Sequence, residues 1–318
     1  MGSTKLNTLL FFISLMFISC KTGNTGSGPI NFGKDPNFKI IPNDDIGLSG
    51  FNRKVVVFGI DLYAVSEVED LKLLHAANVM AQYLDNDEDG LIDNQLVLTK
   101  MIENKAFLVM WKKEKDLNIR PPSGRIGQDL GNDETNPSFV SDGKIGRFDA
   151  TLEEVLHLIN NAGHSYAYPG AFGQNQKSAL SKAMDVARGG RFFRIPPVYP
   201  SKAWFSYYDS TCDYLTCQTI EYLYWSLTSM LGAQENRLNE IGEEWKLNTA
   251  DLLENTDIEI FKLLTNPTYN FPTKLPDGSY KHSNQLEYCQ MSTKKLTNFM
   301  LNLIVKKNPS ITRRACLN

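Results

Sequence analysis

Apolar residues recur at helical spacing in some stretches of this chain and run together in others, and the two patterns predict a mixed fold. Residues 68–84 repeat apolar positions at Leu71, Leu74, Ala77, Val79 and Leu84, and residues 218–231, QTIEYLYWSLTSML, line up Ile220, Leu223, Tyr224, Leu227, Met230 and Leu231. Shorter helical patterns occupy 95–104, 178–188 and 293–305. Residues 54–64, KVVVFGIDLYA, and 106–111, AFLVMW, are apolar and β-branched enough for two buried strands. Gly, Pro, Asn, Asp and Ser dominate 121–146, which predicts a long surface loop. The expected class is α+β, a helix-rich single domain with a small sheet.

The most informative helical stretch is 151–164, TLEEVLHLINNAGH. Leu152, Val155, Leu156 and Ile159 form its packing stripe, while Glu153, His157, Asn160 and His164 share an arc of about 60°. Glu153 and His157 stand at i and i+4, the spacing by which one helix presents two ligands to one ion, and Glu154 is offset to the side. Thr151 and Glu154 also satisfy the S/T-x-x-E capping box, so a first-turn cap competes with the metal reading.

This E-E-x-x-H frame resembles the zinc helix of the zincin metallopeptidases, H-E-x-x-H, with Glu153 in place of the first histidine. The resemblance spans five residues; Glu154 and His157 match, and the continuation to a later Gly and His is out of register at Gly163 and His164. It implies a zincin-like fold, zinc on Glu153 and His157, and Glu154 as general base. A third ligand comes from Glu221, the one acid within helix 218–231, or from His164 on the Glu153/His157 arc. Glu221 has a structural alternative, pairing with Arg188, Arg191 or Arg194. His75, between apolar neighbours, reads as a satisfied core histidine.

Between the first two helices lies Asp85-Asn-Asp-Glu-Asp-Gly-Leu-Ile-Asp93. The pattern is similar to the EF-hand loop and to the loops of dockerins and thrombospondin repeats. It implies calcium held by Asp85, Asp87 and Asp89, by the Leu91 carbonyl and by Asp93, with Gly90 making the sharp turn. Position 12, normally a bidentate Glu, is Leu96, which favours a structural clip over a switch.

The start of the chain predicts export. Residues 9–18, LLFFISLMFI, are too short to span a bilayer, for which about 20 residues are needed, and have the size of a signal-peptide core. Ending on Phe17-Ile-Ser-Cys20, the segment resembles the lipobox of Gram-negative bacterial lipoproteins, which implies cleavage after residue 19 and lipid on Cys20. Residues 20–37 then form a Gly-, Ser- and Asn-rich tether, and 38–318 the globular domain. Export permits disulfides: Cys212 with Cys217 as a local bridge and Cys289 with Cys316 is the expected pairing of three.

The net charge of −3 becomes −4 once Lys5, the only charged residue of 1–19, is removed, which gives no footing for nucleic acid. No P-loop, dinucleotide fingerprint or G-x-S-x-G elbow occurs. The expectation is a calcium-stabilised, zinc-dependent hydrolase, anchored by lipid in the cell envelope at the outer membrane, acting on peptide or glycan. The alternative is a non-enzymatic lipoprotein that binds glycan or protein as an accessory to polysaccharide or nutrient uptake. Its platform would be the aromatics between Tyr166 and Trp225.

Overall fold

The computed structural model describes residues 38–117 and 122–281. Cys20, the tether, Cys289, Cys316 and the helical pattern at 293–305 lie outside the described residues. The fold is α+β, with one five-stranded mixed sheet in the order β1-β2-β3-β4-β5 and helices packed against it and against one another. Among the described residues no helix is long and apolar enough to cross a membrane.

The expected strand at 54–64 is two strands. β2 (Arg53–Val57) and β3 (Ile60–Ala64) pair antiparallel around Phe58 and Gly59, both at positive φ, +48° and +91°. This mirror-type turn matches strand twist, but it normally uses Asn-Gly or Asp-Gly, and Phe-Gly gives no such signal. The short β1 (Ile41–Pro42) extends the antiparallel edge, and β4 (Phe107–Trp111) continues the sheet parallel to β3.

β5 (Gly127–Gly131) was hidden in the predicted loop. Its sequence, GQDLG, offers one apolar residue, and its glycines are required by packing. A Cβ on Gly127 would run into the Phe107 ring, and one on Gly131 would lie 2.9 Å from the Glu134 carboxylate and 3.0 Å from Trp111. The strand thus exists because neighbouring side chains lie over it.

Between β3 and β4 come α1 (Asp70–Leu84), the acidic loop and α2 (Gln95–Glu103). After β5 comes α3 (Thr151–Ile159), which packs on α1, β4 and β5 through Leu152, Val155, Leu156 and Leu158, all essentially buried. The helix then widens into a π segment (Asn160–His164), followed by the short α4 (Ser165–Ala167) and α5 (Pro169–Phe172). Gly163 lets α2 approach this turn, since a Cβ there would sit 2.7 Å from Val97.

The second half is built around α7 (Cys217–Met230), which contacts α3, α6 (Ala179–Ala187), α9 (Ala250–Thr256) and α10 (Ile258–Leu264); α8 (Leu238–Ile241) is a short turn nearby. The predicted Cys212–Cys217 disulfide is present at the start of α7. Most of the aromatics are core: Tyr222 and Trp204 each donate 2.7 Å hydrogen bonds to Asp257, and Trp245 donates to Ser229 and Leu247. His75 is a satisfied core histidine as expected, its Nε2 2.7 Å from Asp149.

Candidate metal centre

The capping box at Thr151 does not form. The Thr151 hydroxyl is buried without a partner, and its amide is instead met by Asp149 Oδ1 at 3.2 Å. Of the two acids of the first turn, Glu154 meets Gln128 on β5 and Glu153 groups with Glu221 on α7.

Glu153 and His157 on α3 and Glu221 on α7 bring one ligand atom each to within 4.8 Å of one another. His157 Nε2 lies 3.6 Å from Glu221 Oε2 and has no hydrogen-bond partner, although it is buried. A buried imidazole nitrogen without a protein partner is satisfied by a water or an ion, and the group that includes His157 could hold a metal ion. Arg188 and Arg191 do not claim Glu221: Arg188 donates to the Phe192 carbonyl and to Tyr199, and Arg191 to Asp185.

Glu154 sits on the other edge of the ring. Its Oε2 is 3.3 Å from His157 Nδ1 and accepts a 2.6 Å hydrogen bond from Gln128 on β5. This arrangement suits a carboxylate that orients a ligating histidine, fixing Nδ1–H as donor and freeing Nε2. It does not suit the general base that the sequence pattern suggested, which would stand on the Nε2 side.

His164 does not join the group. In an unbroken α-helix it would fall seven residues after His157 on nearly the same face. The i→i+5 turn of the π segment adds backbone between them and rotates it away. Its ring stacks on Phe271 at 4.4 Å between centroids and meets Phe172 edge-on, and burial lowers its pKa to about 3.

The centre is strongly acidic. Burial raises Glu153 and Glu221 well above the usual carboxylate range, with His157 opposing and the neighbouring glutamates reinforcing. Burial, Asp129 and Glu134 together push Glu154 up to about 8. Burial also raises Glu244, which accepts the Trp225 indole N–H at 2.9 Å. A divalent ion held among these grouped carboxylates would offset their mutual repulsion and favour their ionised forms.

Tyr224 and Arg237 carried no sequence signal for this centre, whereas Asn160 was expected on the Glu153/His157 arc. Tyr224 packs its ring edge-on against His157, at 5.5 Å, while its hydroxyl accepts from Gln234 at 3.3 Å. Arg237, set over the Phe148 ring at 3.9 Å, donates to Gln234 and Glu240. Asn160, three residues past His157, is buried with both amide atoms unpaired. Glu153 and Tyr224 open onto a cleft of about 540 Å³ walled by residues 207–209, 225 and 237–244.

A second group able to hold a metal ion is formed by Asp85, Asp87 and Asp89. Gly90, at φ +87°, makes the expected sharp turn, and its amide donates to Asp85 at 2.8 Å. Asp93 turns its carboxylate to the Asn86 amide at 2.7 Å, and Leu96 points into solvent with no oxygen to offer. Tyr280 donates to Asp85, and burial raises that carboxyl to about 6. Asn86 and Gln82 receive the backbone amides of Thr273, Lys274, Asp277 and Gly278, which fastens the loop to the segment 269–281.

In comparisons with known proteins, no family model, no curated protein and no solved structure matches this chain.

Proposed function

We propose that this chain is a metal-dependent hydrolase whose centre is Glu153, His157 and Glu221, with zinc as the metal and calcium in the Asp85 loop. One observation carries the reading: three ligand atoms converge, the histidine nitrogen among them is buried and unpaired, and Glu153 lines an open cleft. Three protein ligands and one open position are the usual form of a catalytic zinc site. A zinc ion bound there would polarise a carbonyl and lower the pKa of its water.

The chain's own residues do the rest. Glu154, held by Gln128, orients the His157 ring, and Tyr224 packs edge-on against it. Glu244, raised by burial and lining the cleft, is our candidate to take the proton of the attacking water. Two carboxylate ligands make the ion less electrophilic than two histidines would, so modest activity is expected.

A non-enzymatic binding role finds support in the exposed aromatics, Tyr208 and Phe193. Attachment through lipid on Cys20 at the outer membrane remains part of the proposal on sequence grounds. Elemental mass spectrometry of the purified chain and of His157→Ala tests the centre. Stoichiometric zinc lost in the variant, together with hydrolysis of a fluorogenic amide lost in parallel, supports the hydrolase. Calcium alone, with no zinc taken up on addition, sinks it.

A further inference from the structure

The cleft beside the metal centre has a chemical character of its own. Its walls carry Asp209, Glu240, Glu243 and Glu244 in addition to Glu153, while among the described residues Arg237 is the single cation lining it. That arginine is already engaged, bonded to Glu240 and Gln234 and stacked on Phe148. Among the described residues the remaining carboxylates therefore face the cleft without a cation in the lining to neutralise them. Tyr207, Tyr208 and Trp225 supply the aromatic surface between them. Glu153, one of the three residues grouped as metal ligands, lines the same cleft, so the acidic walls adjoin the centre through it.

Carboxylates interleaved with aromatic faces recognise alkylammonium and guanidinium groups. The stem packs on the ring, the ring face attracts the cation, and the carboxylate pairs with it. A volume of about 540 Å³ holds a side chain of that length with the peptide backbone around it. A neutral sugar would hydrogen-bond these carboxylates but leave their charge uncompensated, and an acidic ligand would be repelled by them.

Resting on the hydrolase reading of the same cleft, we propose that its substrates are peptides with a lysine or arginine side chain next to the amide that is cut. The reaction is plain hydrolysis: water oxygen bonds to the carbonyl carbon, the C–N bond breaks, and the two water protons end on the new carboxyl and amine. Specificity comes from the walls, with Asp209 and Glu243 as rim charges and Glu244 deeper.

The test uses the full chain and matched fluorescent peptides that differ at one position, Lys, Gln or Glu. Binding is measured by anisotropy on the chelated chain, and cleavage on the zinc-loaded chain. We expect the Lys peptide to bind about tenfold tighter than the Glu peptide at low salt, with the gap closing at high salt. The Asp209→Asn/Glu243→Gln double variant should shrink the gap about threefold and keep its fold by circular dichroism. Equal binding of all three peptides, or a preference unchanged in the double variant, overturns the proposal. Cleavage without basic preference likewise overturns it and leaves the hydrolase standing. Basic preference in binding without cleavage upholds the charge recognition and removes the hydrolase.

Discussion

His157 faces Glu221 across the gap between α3 and α7, Nε2 to Oε2 at 3.6 Å, too far for a good hydrogen bond and suited to two ligands of one ion. The pair joins the two halves of the fold, because α3 packs on the sheet and α7 organises the helices that follow. Whatever sits between them therefore reports on the docking of one half against the other.

Removing one carboxylate should then have opposite effects with and without metal. In the chelated protein Glu221→Gln relieves repulsion from Glu153 and Glu154. We expect a gain of about 1 kcal/mol, seen as a rise in Tm of about 2–4 °C. In zinc, the same variant should lose the stabilisation that the metal gives wild type. Thermal melts of both proteins in both conditions decide the matter; a fall in Tm in both would mean that Glu221 is only structural.

The residues behind the ring should matter nearly as much as the ligands. Gln128→Ala or Glu154→Gln leaves Glu153, His157 and Glu221 in place but frees the imidazole to turn. The expected loss in zinc affinity is about 10–100-fold, measured by competition with a chromogenic chelator. Unchanged affinity would return Glu154 to the role of base.

Acid should destabilise the chain through His164. Burial lowers its pKa to about 3 from an ordinary 6.5, so between these values the unfolded chain carries a proton that the folded chain lacks. Stability from this group is thus fully present above pH 6.5 and lost as pH falls toward 3. The raised glutamates at the centre have the reverse sign, so the comparison must be with His164→Phe. That variant should show a shallower fall in Tm between pH 6.5 and 4; a parallel curve would remove His164 from the acid response.

Chelation at the acidic loop should loosen a distant part of the chain. Asp85, Gln82 and Asn86 together hold Tyr280, Asp277, Gly278, Thr273 and Lys274. With calcium removed, or in Asp87→Asn/Asp89→Asn, segment 269–281 should be cut earlier by a nonspecific protease. Mass spectrometry of the first fragments locates the cut, and identical patterns with and without calcium would deny the link.

The sequence announced what rests on periodicity and spacing and hid what rests on contact. Glu153 and His157 were legible because i, i+4 geometry is local, and Asp85 to Asp93 because its loop spacing is fixed by the ion's needs. Glu221 was legible only as the lone acid of an aromatic helix. Tyr224, Gln128 and Arg237 were invisible, since each reaches the centre by tertiary packing alone. β5 was unreadable because Gly127 and Gly131 answer to the Phe107 and Trp111 rings on the next strand. His164 was misjudged for a different reason: a π turn carries no periodic signature, and Gly163, which admits Val97 there, looks in sequence like a simple breaker.

The loop that holds the three aspartates also ties together positions 188 to 195 residues apart, through Asn86 with Lys274 and Asp85 with Tyr280. On a ribosome the two helices flanking the loop emerge long before their partners do. Until residues 273–280 arrive, the side chains of Gln82 and Asn86 lack the amides they are built to receive, and Asp85 lacks its hydroxyl. Final closure of the fold thus waits for nearly the last described residue, and a chain ending at 268 would leave those polar groups bare, at about 1–3 kcal/mol for each one that stays buried.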